Sequence, residues 1–170
     1  GHVDLSYKNL TKIPIQFGIV KGNFWCKHNK LTTLQGAPQY VGGNFTCSNN
    51  RLISLEGAPK YVNGNFWCNN NQLTTLQGAP EKVNGNFECN NNRLISLKGA
   101  PKTINGFWCE ENQLTTLEGA PEKVNGNFEC SNNRLISLEG APEKVNGNFE
   151  CNFNQLTTLK GAPRKVNGDL

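Results

Sequence analysis

The residues with the most chemistry to offer stand between a phenylalanine and a cysteine, at one recurring place. Trp25, Thr46, Trp67, Glu88, Trp108, Glu129 and Glu150 fill that place in order. An outward indole supplies a large apolar contact with a polar N–H tip, and Trp is among the residues that dominate binding energy at interfaces. Two further positions follow each cysteine. The first reads Lys27, Ser48, Asn69, Asn90, Glu110, Ser131 and Asn152, and the second reads His28, Asn49, Asn70, Asn91, Glu111, Asn132 and Phe153. Basic groups open these columns, carboxylates enter from Glu88 onward, and Phe153 restores an aromatic where Glu150 stands in place of Trp. This is the chemistry of recognition. It makes Trp25, Trp67, Trp108, Phe153, Glu88, Glu110, Glu111, Glu129 and Glu150 the candidate partner-binding residues, suited to a basic or extended partner protein or peptide. The same residues also fit a plainer role, with indoles lying flat on a sheet and glutamates keeping the array soluble.

Catalytic chemistry has little to work with. The two histidines are His2 and His28, no nucleophile stands beside a base, and there is no phosphate loop. Glu110 and Glu111 are adjacent and read as a solvated pair. The seven cysteines come singly, as Cys-x-x-Asn, without a Cys-x-x-Cys or a histidine pair, so neither zinc nor any other metal or cofactor is called for. An odd count at one repeated position is unlike a secreted disulfide framework. Each thiol reads as a small buried apolar group, which favours a reducing cytoplasm and leaves a secreted effector possible.

The net charge of +4 over 170 residues is small beside that of most nucleic-acid binders. No run of 18 apolar residues marks a membrane span, and no signal peptide opens the chain. Gly1-His2, in a chain without methionine, reads as a vector-derived remnant.

What must position these residues is a repeat. The cysteines at 26, 47, 68, 89, 109, 130 and 151 recur every 21 residues with one step of 20. Such a period means one small unit stacked many times. The unit starts at Val3, Phe24, Phe45, Phe66, Phe87, Phe107, Phe128 and Phe149, and Leu170 opens a ninth. Residues 3–170 therefore form a single solenoid: 3–23 a divergent first coil, 24–169 regular coils, and one asparagine missing before Phe107. The chain ends without a polar cap, which raises either end-to-end self-association or a fragment of a larger protein.

Phe-x-Cys has the period of a strand with one buried face. The next unvarying residue is Asn29, Asn50, Asn71, Asn92, Asn112, Asn133 or Asn154, a structural ladder expected to bond the backbone amides of its own and the next coil. Leu-x-x-Leu returns two side chains to the core, as at Leu31 and Leu34. Gly-Ala-Pro then keeps the path extended. Val-Asn-Gly is expected to close the coil, the valine packing inward and Asn-Gly supplying positive torsions.

The unit Phe-x-Cys-x-x-Asn-x-Leu resembles the leucine-rich repeat core Leu-x-x-Leu-x-Leu-x-x-Asn/Cys-x-Leu; Phe45, Cys47, Asn50 and Leu52 fall on four of its five marked positions, with Gly42 at the first. The short period is most similar to bacterial repeats of effector proteins and of uncharacterised bacterial and phage proteins. The resemblance implies an all-β-like, right-handed coil of eight repeats, with a parallel β-sheet on the concave face, extended or polyproline-like convex segments, and little or no helix. It implies a concave face that binds partners, and no activity.

Other readings compete with protein recognition. Trp25, Trp67 and Trp108 could stack the bases of single-stranded nucleic acid while Lys30, Arg51, Arg93 and Arg134 meet phosphates, but the glutamates on the same sheet would repel that backbone. Thr74-Thr75 and Thr115-Thr116 invite ice binding, interrupted by Ile-Ser in every second coil. The array could also target a larger effector whose catalytic part lies elsewhere. A second alternation, Leu-Thr-Thr-Leu against Arg-Leu-Ile-Ser-Leu, makes about 42 residues the unit of duplication.

Overall fold

Strands this short are stable only by pairing with copies of themselves. The computed structural model, which describes all 170 residues, stacks eight of them into one parallel sheet: Val3–Asp4, Phe24–Trp25, Phe45–Thr46, Phe66–Trp67, Phe87–Glu88, Phe107–Trp108, Phe128–Glu129 and Phe149–Glu150. Each first residue pairs with the next coil's first residue, so every column stays in register, including across the short coil, where Phe87 meets Phe107. Backbone bonds run beyond the formal strands. Phe24, Cys26 and His28 donate to Asn44, Thr46 and Ser48 at 2.9, 2.9 and 3.0 Å, and the pattern repeats down the sheet. The molecule contains no helix.

The inward side chains form one core of 34 buried residues. Seven phenylalanines from Phe24 to Phe149 are fully buried in a stack with centroids 5.1–5.5 Å apart. Phe17, from the divergent first coil, meets Phe24 edge-on at 5.1 Å. Cysteine thiols from Cys26 to Cys109 donate to the next coil's carbonyl at 3.2–3.6 Å. Burial pushes these thiols above their ordinary range, so they are neutral packing groups.

Two features depart from the sequence reading. The positive torsions fall on the glycine of Gly-Ala-Pro, from Gly36 to Gly161, with φ of 85–96°, and not on Asn-Gly. The reason is a turn closed by Ala37 N–H on Leu34 O at 2.9 Å, which places glycine where type II turns need φ > 0. The Asn-Gly glycine serves close packing instead: a Cβ on Gly85 would sit 2.7 Å from the Gly64 carbonyl. The second departure is another parallel sheet at the two-residue segments that end in the inward valine. It runs through Ile19–Val20, Tyr40–Val41, Tyr61–Val62 and Lys82–Val83, then resumes through Lys123–Val124, Lys144–Val145 and Lys165–Val166. A lone bridge from Lys82 to Thr103 spans the coil with the missing residue.

Candidate functional site

The amide ladder sets the edge of the concave face. Asn50 Nδ2 donates to the Cys47 and Cys26 carbonyls at 2.9 and 3.0 Å, while its Oδ1 accepts from Leu31 N–H at 2.9 Å. Asn29, Asn71, Asn92, Asn112, Asn133 and Asn154 repeat the arrangement. A second ladder runs along the other edge, from Asn44 N–H on Asn23 Oδ1 at 2.8 Å to Asp169 N–H on Asn148 Oδ1 at 3.1 Å. The recurring Gly-Asn-Phe triplet was its unread signal. His2 takes the slot at the first coil, its Nδ1 accepting from Asn23 N–H at 2.9 Å.

Between the ladders, Trp25, Trp67 and Trp108 project outward and are half-buried. In the N-terminal half the polar groups beneath them are satisfied from the second coil onward, while Ser6 Oγ of the first coil is buried without a partner. Thr46, in register between Trp25 and Trp67, is 4% exposed. Its hydroxyl donates to Ser48 Oγ at 3.3 Å, and that hydroxyl donates to Asn69 Oδ1 at 2.5 Å. The His2 ring stacks beside Trp25 at 5.6 Å, and Tyr7 stacks on His28 at 4.5 Å.

The C-terminal half differs. Trp67 Nε1 donates to Glu88 Oε1 at 2.7 Å, yet burial still raises the Glu88 carboxyl, with Glu129 adding to the rise. Burial pushes Glu110 up to about 7, and the neighbouring Glu129 and Glu88 carboxylates add to the rise. Asn90 Oδ1 and Glu110 Oε2, in register neighbours of one column, are buried and accept no hydrogen bond. The chain's two ion pairs are Lys98–Glu118 at 3.1 Å and Lys160–Glu139 at 2.7 Å, both exposed. None of Glu88, Glu110, Glu111, Glu129 or Glu150 has a cation within 4.0 Å. Trp108 leans over Gly106, which stands where other coils carry the edge asparagine; a Cβ there would lie 2.5 Å from Cζ3 of the indole.

The outermost column is a left-handed rim. His28, Asn49, Asn70, Asn91, Glu111, Asn132 and Phe153 have φ of 51–57°. Asparagine tolerates that conformation; histidine, glutamate and phenylalanine are held there at a cost. Phe153 is 80% exposed on this rim and lies off the sheet. Glu111 shares the rim, while Glu88, Glu129 and Glu150 share the Trp column. No three histidine, cysteine, aspartate or glutamate side chains converge on a point that would hold a metal ion.

Parallel in-register strands, an asparagine ladder and leucines at the turn make this a leucine-rich repeat solenoid in fold. The solved structure of YopM from Yersinia enterocolitica WA-314 is similar, with a TM-score of 0.66 and 18% identity over 87% of this chain. The chain spans 33% of that protein's length. No family model and no curated protein matches the sequence.

Proposed function

We propose that the chain is a protein-recognition module that holds a partner protein or peptide on its concave sheet. Trp25, Trp67 and Trp108 are the apolar anchors, and Glu88, Glu110, Glu111, Glu129, Glu150 and Phe153 are the flanking contacts. The observation that carries this reading is the concave column itself: three half-buried indoles on a continuous sheet, beside carboxylates that no cation neutralises. Solenoids present long concave surfaces of this kind, and large aromatic side chains in such a setting are the usual energetic anchors.

The test is capture from a host lysate by the immobilised chain, compared with a Trp67→Ala/Trp108→Ala variant whose folding is checked by urea unfolding. Loss of the captured protein in the variant supports the reading. Undiminished capture with folding intact removes the Trp column from it. Single-stranded DNA serves as the control for the nucleic-acid alternative. An interaction that weakens steeply with salt would favour that alternative.

A further inference from the structure

We infer that the occupant of the concave strip is a polyproline II segment with an apolar anchor every third residue and an arginine- or lysine-rich end. This rests on the reading that the strip binds a partner, and it names the partner's conformation and charge.

Spacing decides the conformation. Trp25, Trp67 and Trp108 stand two coils apart in one register column, which is about 9.6 Å at the interstrand distance of a sheet. A polyproline II helix has three residues per turn and repeats its face every 9.3 Å or so. Across the three indoles the accumulated mismatch is only about 0.6 Å. A β-strand laid along the same axis repeats its face at about 6.6 or 13 Å, which skips the indoles. An α-helix repeats at about 10.5 Å over seven residues and drifts about 1.8 Å across the three.

Backbone chemistry agrees. The sheet's own amides and carbonyls are consumed by its ladder, so its face offers nothing for a ligand strand to pair with. A polyproline II backbone keeps its polar groups outward and asks for no ladder. What the face does offer is indole N–H donors. Trp25 and Trp108 make no intramolecular bond through Nε1, whereas Trp67 is committed to Glu88. Aromatic grooves with free donors are the common way of holding such segments.

Charge orients the segment. The Trp column ends in Glu129 and Glu150, with Glu110, Glu111 and Phe153 alongside, and no cation of the chain lies within ion-pair distance of these carboxylates. Glu129 flanks Trp108 in its own register column and Glu110 in the column beside it, so negative charge surrounds the last indole. At the other end lie Lys8, Lys27, His28 and Lys30, with Asp4, in register with Trp25, the one carboxylate of the column there. A cationic end therefore belongs over the sixth to eighth coils, where guanidinium groups find both carboxylates and an indole face.

Three short synthetic peptides test this, each with the same Arg-Lys-Arg end: a proline-rich body with leucines every third residue, an alternating Thr-Leu body, and an amphipathic alanine-based helix. Binding to the whole chain is read by its tryptophan fluorescence and by calorimetry. The period-three peptide should bind about tenfold or more tighter than the other two, a gap that the anchor fit supplies. Its affinity should fall about tenfold in Trp67→Ala or Trp108→Ala, and more on replacing the basic end by Glu-Glu-Glu. Trp108→Phe, which keeps an aromatic face, should retain part of the binding. If the alternating or helical peptide binds as tightly and still depends on the indoles, the polyproline inference is overturned and the concave reading stands. If no peptide shows Trp-dependent binding, both are overturned.

Discussion

The two halves of the concave sheet share one scaffold and differ in whether hydroxyls or carboxylates fill their outward columns. In the N-terminal half, Thr46 is covered between two indoles, a chain of hydroxyls ends on Asn69, and one neutral hydroxyl, Ser6 Oγ, is buried without a partner. In the C-terminal half, carboxylates replace those hydroxyls, two buried acceptors lack donors, and Glu110 is driven towards neutrality. Both halves keep the same Phe stack, thiol contacts and amide ladder. The lesson is that the repeat secures the fold independently of its outward columns, so those columns can be left locally unfavourable. Local unfavourable chemistry held in place by a strong scaffold is characteristic of binding faces.

The largest expected effect tests whether the two halves are interchangeable. Thr46→Glu places a carboxylate between two indoles at a position only 4% exposed and should lower stability by about 2–4 kcal/mol. The reverse exchange, Glu88→Thr, should leave stability unchanged or raise it. Urea unfolding of the two variants checks the asymmetry; equal losses would erase the distinction. Next come the ladders. Asn50→Ala and Asn133→Ala each remove the side-chain partner of four backbone groups and should each cost about 2 kcal/mol. A markedly unequal pair would move the difference between the halves into the scaffold.

Glu110 gives a smaller, pH-dependent effect. Its folded pKa, about 7, lies above its ordinary value of 4.5, so the folded state holds the extra proton between those limits. Stability contributed by the neutral form is therefore present at low pH and lost as pH rises through 7. Glu110→Gln should stabilise the chain by on the order of 1 kcal/mol at pH 8, after discounting for a half-exposed site. It should have no effect near pH 4. Thermal melts at the two pH values read this directly, with a shift of about 2–4 °C at pH 8. The smallest effect belongs to the rim: Phe153→Asn should raise stability by roughly 0.5 kcal/mol by relieving a left-handed residue, and weaken partner binding.

Much of this was legible in the sequence because repetition multiplies weak signals. A single Phe-x-Cys is ambiguous, but eight units in register specify a parallel sheet, and the outward column follows by alternation. The second sheet was not legible, since a two-residue segment ending in valine has no periodicity of its own and gains meaning only from stacking. The torsions went to the wrong glycine for a related reason. Asn-Gly and Gly-Ala-Pro both carry turn chemistry, and only the Ala37–Leu34 bond shows which turn needs the left-handed residue. At the site, the residues of the strip could be named, but the unsatisfied acceptors at Asn90 and Glu110, and the strain at Glu111 and Phe153, depend on geometry between coils.

On the proposed reading, the C-terminal half holds an unfavourable surface because that surface binds. Rewriting it in the residues of the N-terminal half tests this in one molecule: Glu88→Thr, Asn90→Ser, Glu110→Asn and Glu111→Asn turn the outward columns of the fifth and sixth coils into those of the third and fourth. The measurement is the urea midpoint together with the affinity for the basic period-three peptide. The expected result is a higher midpoint with at least about a tenfold loss of affinity. A midpoint that stays level or falls, or an affinity that survives the exchange, would contradict it.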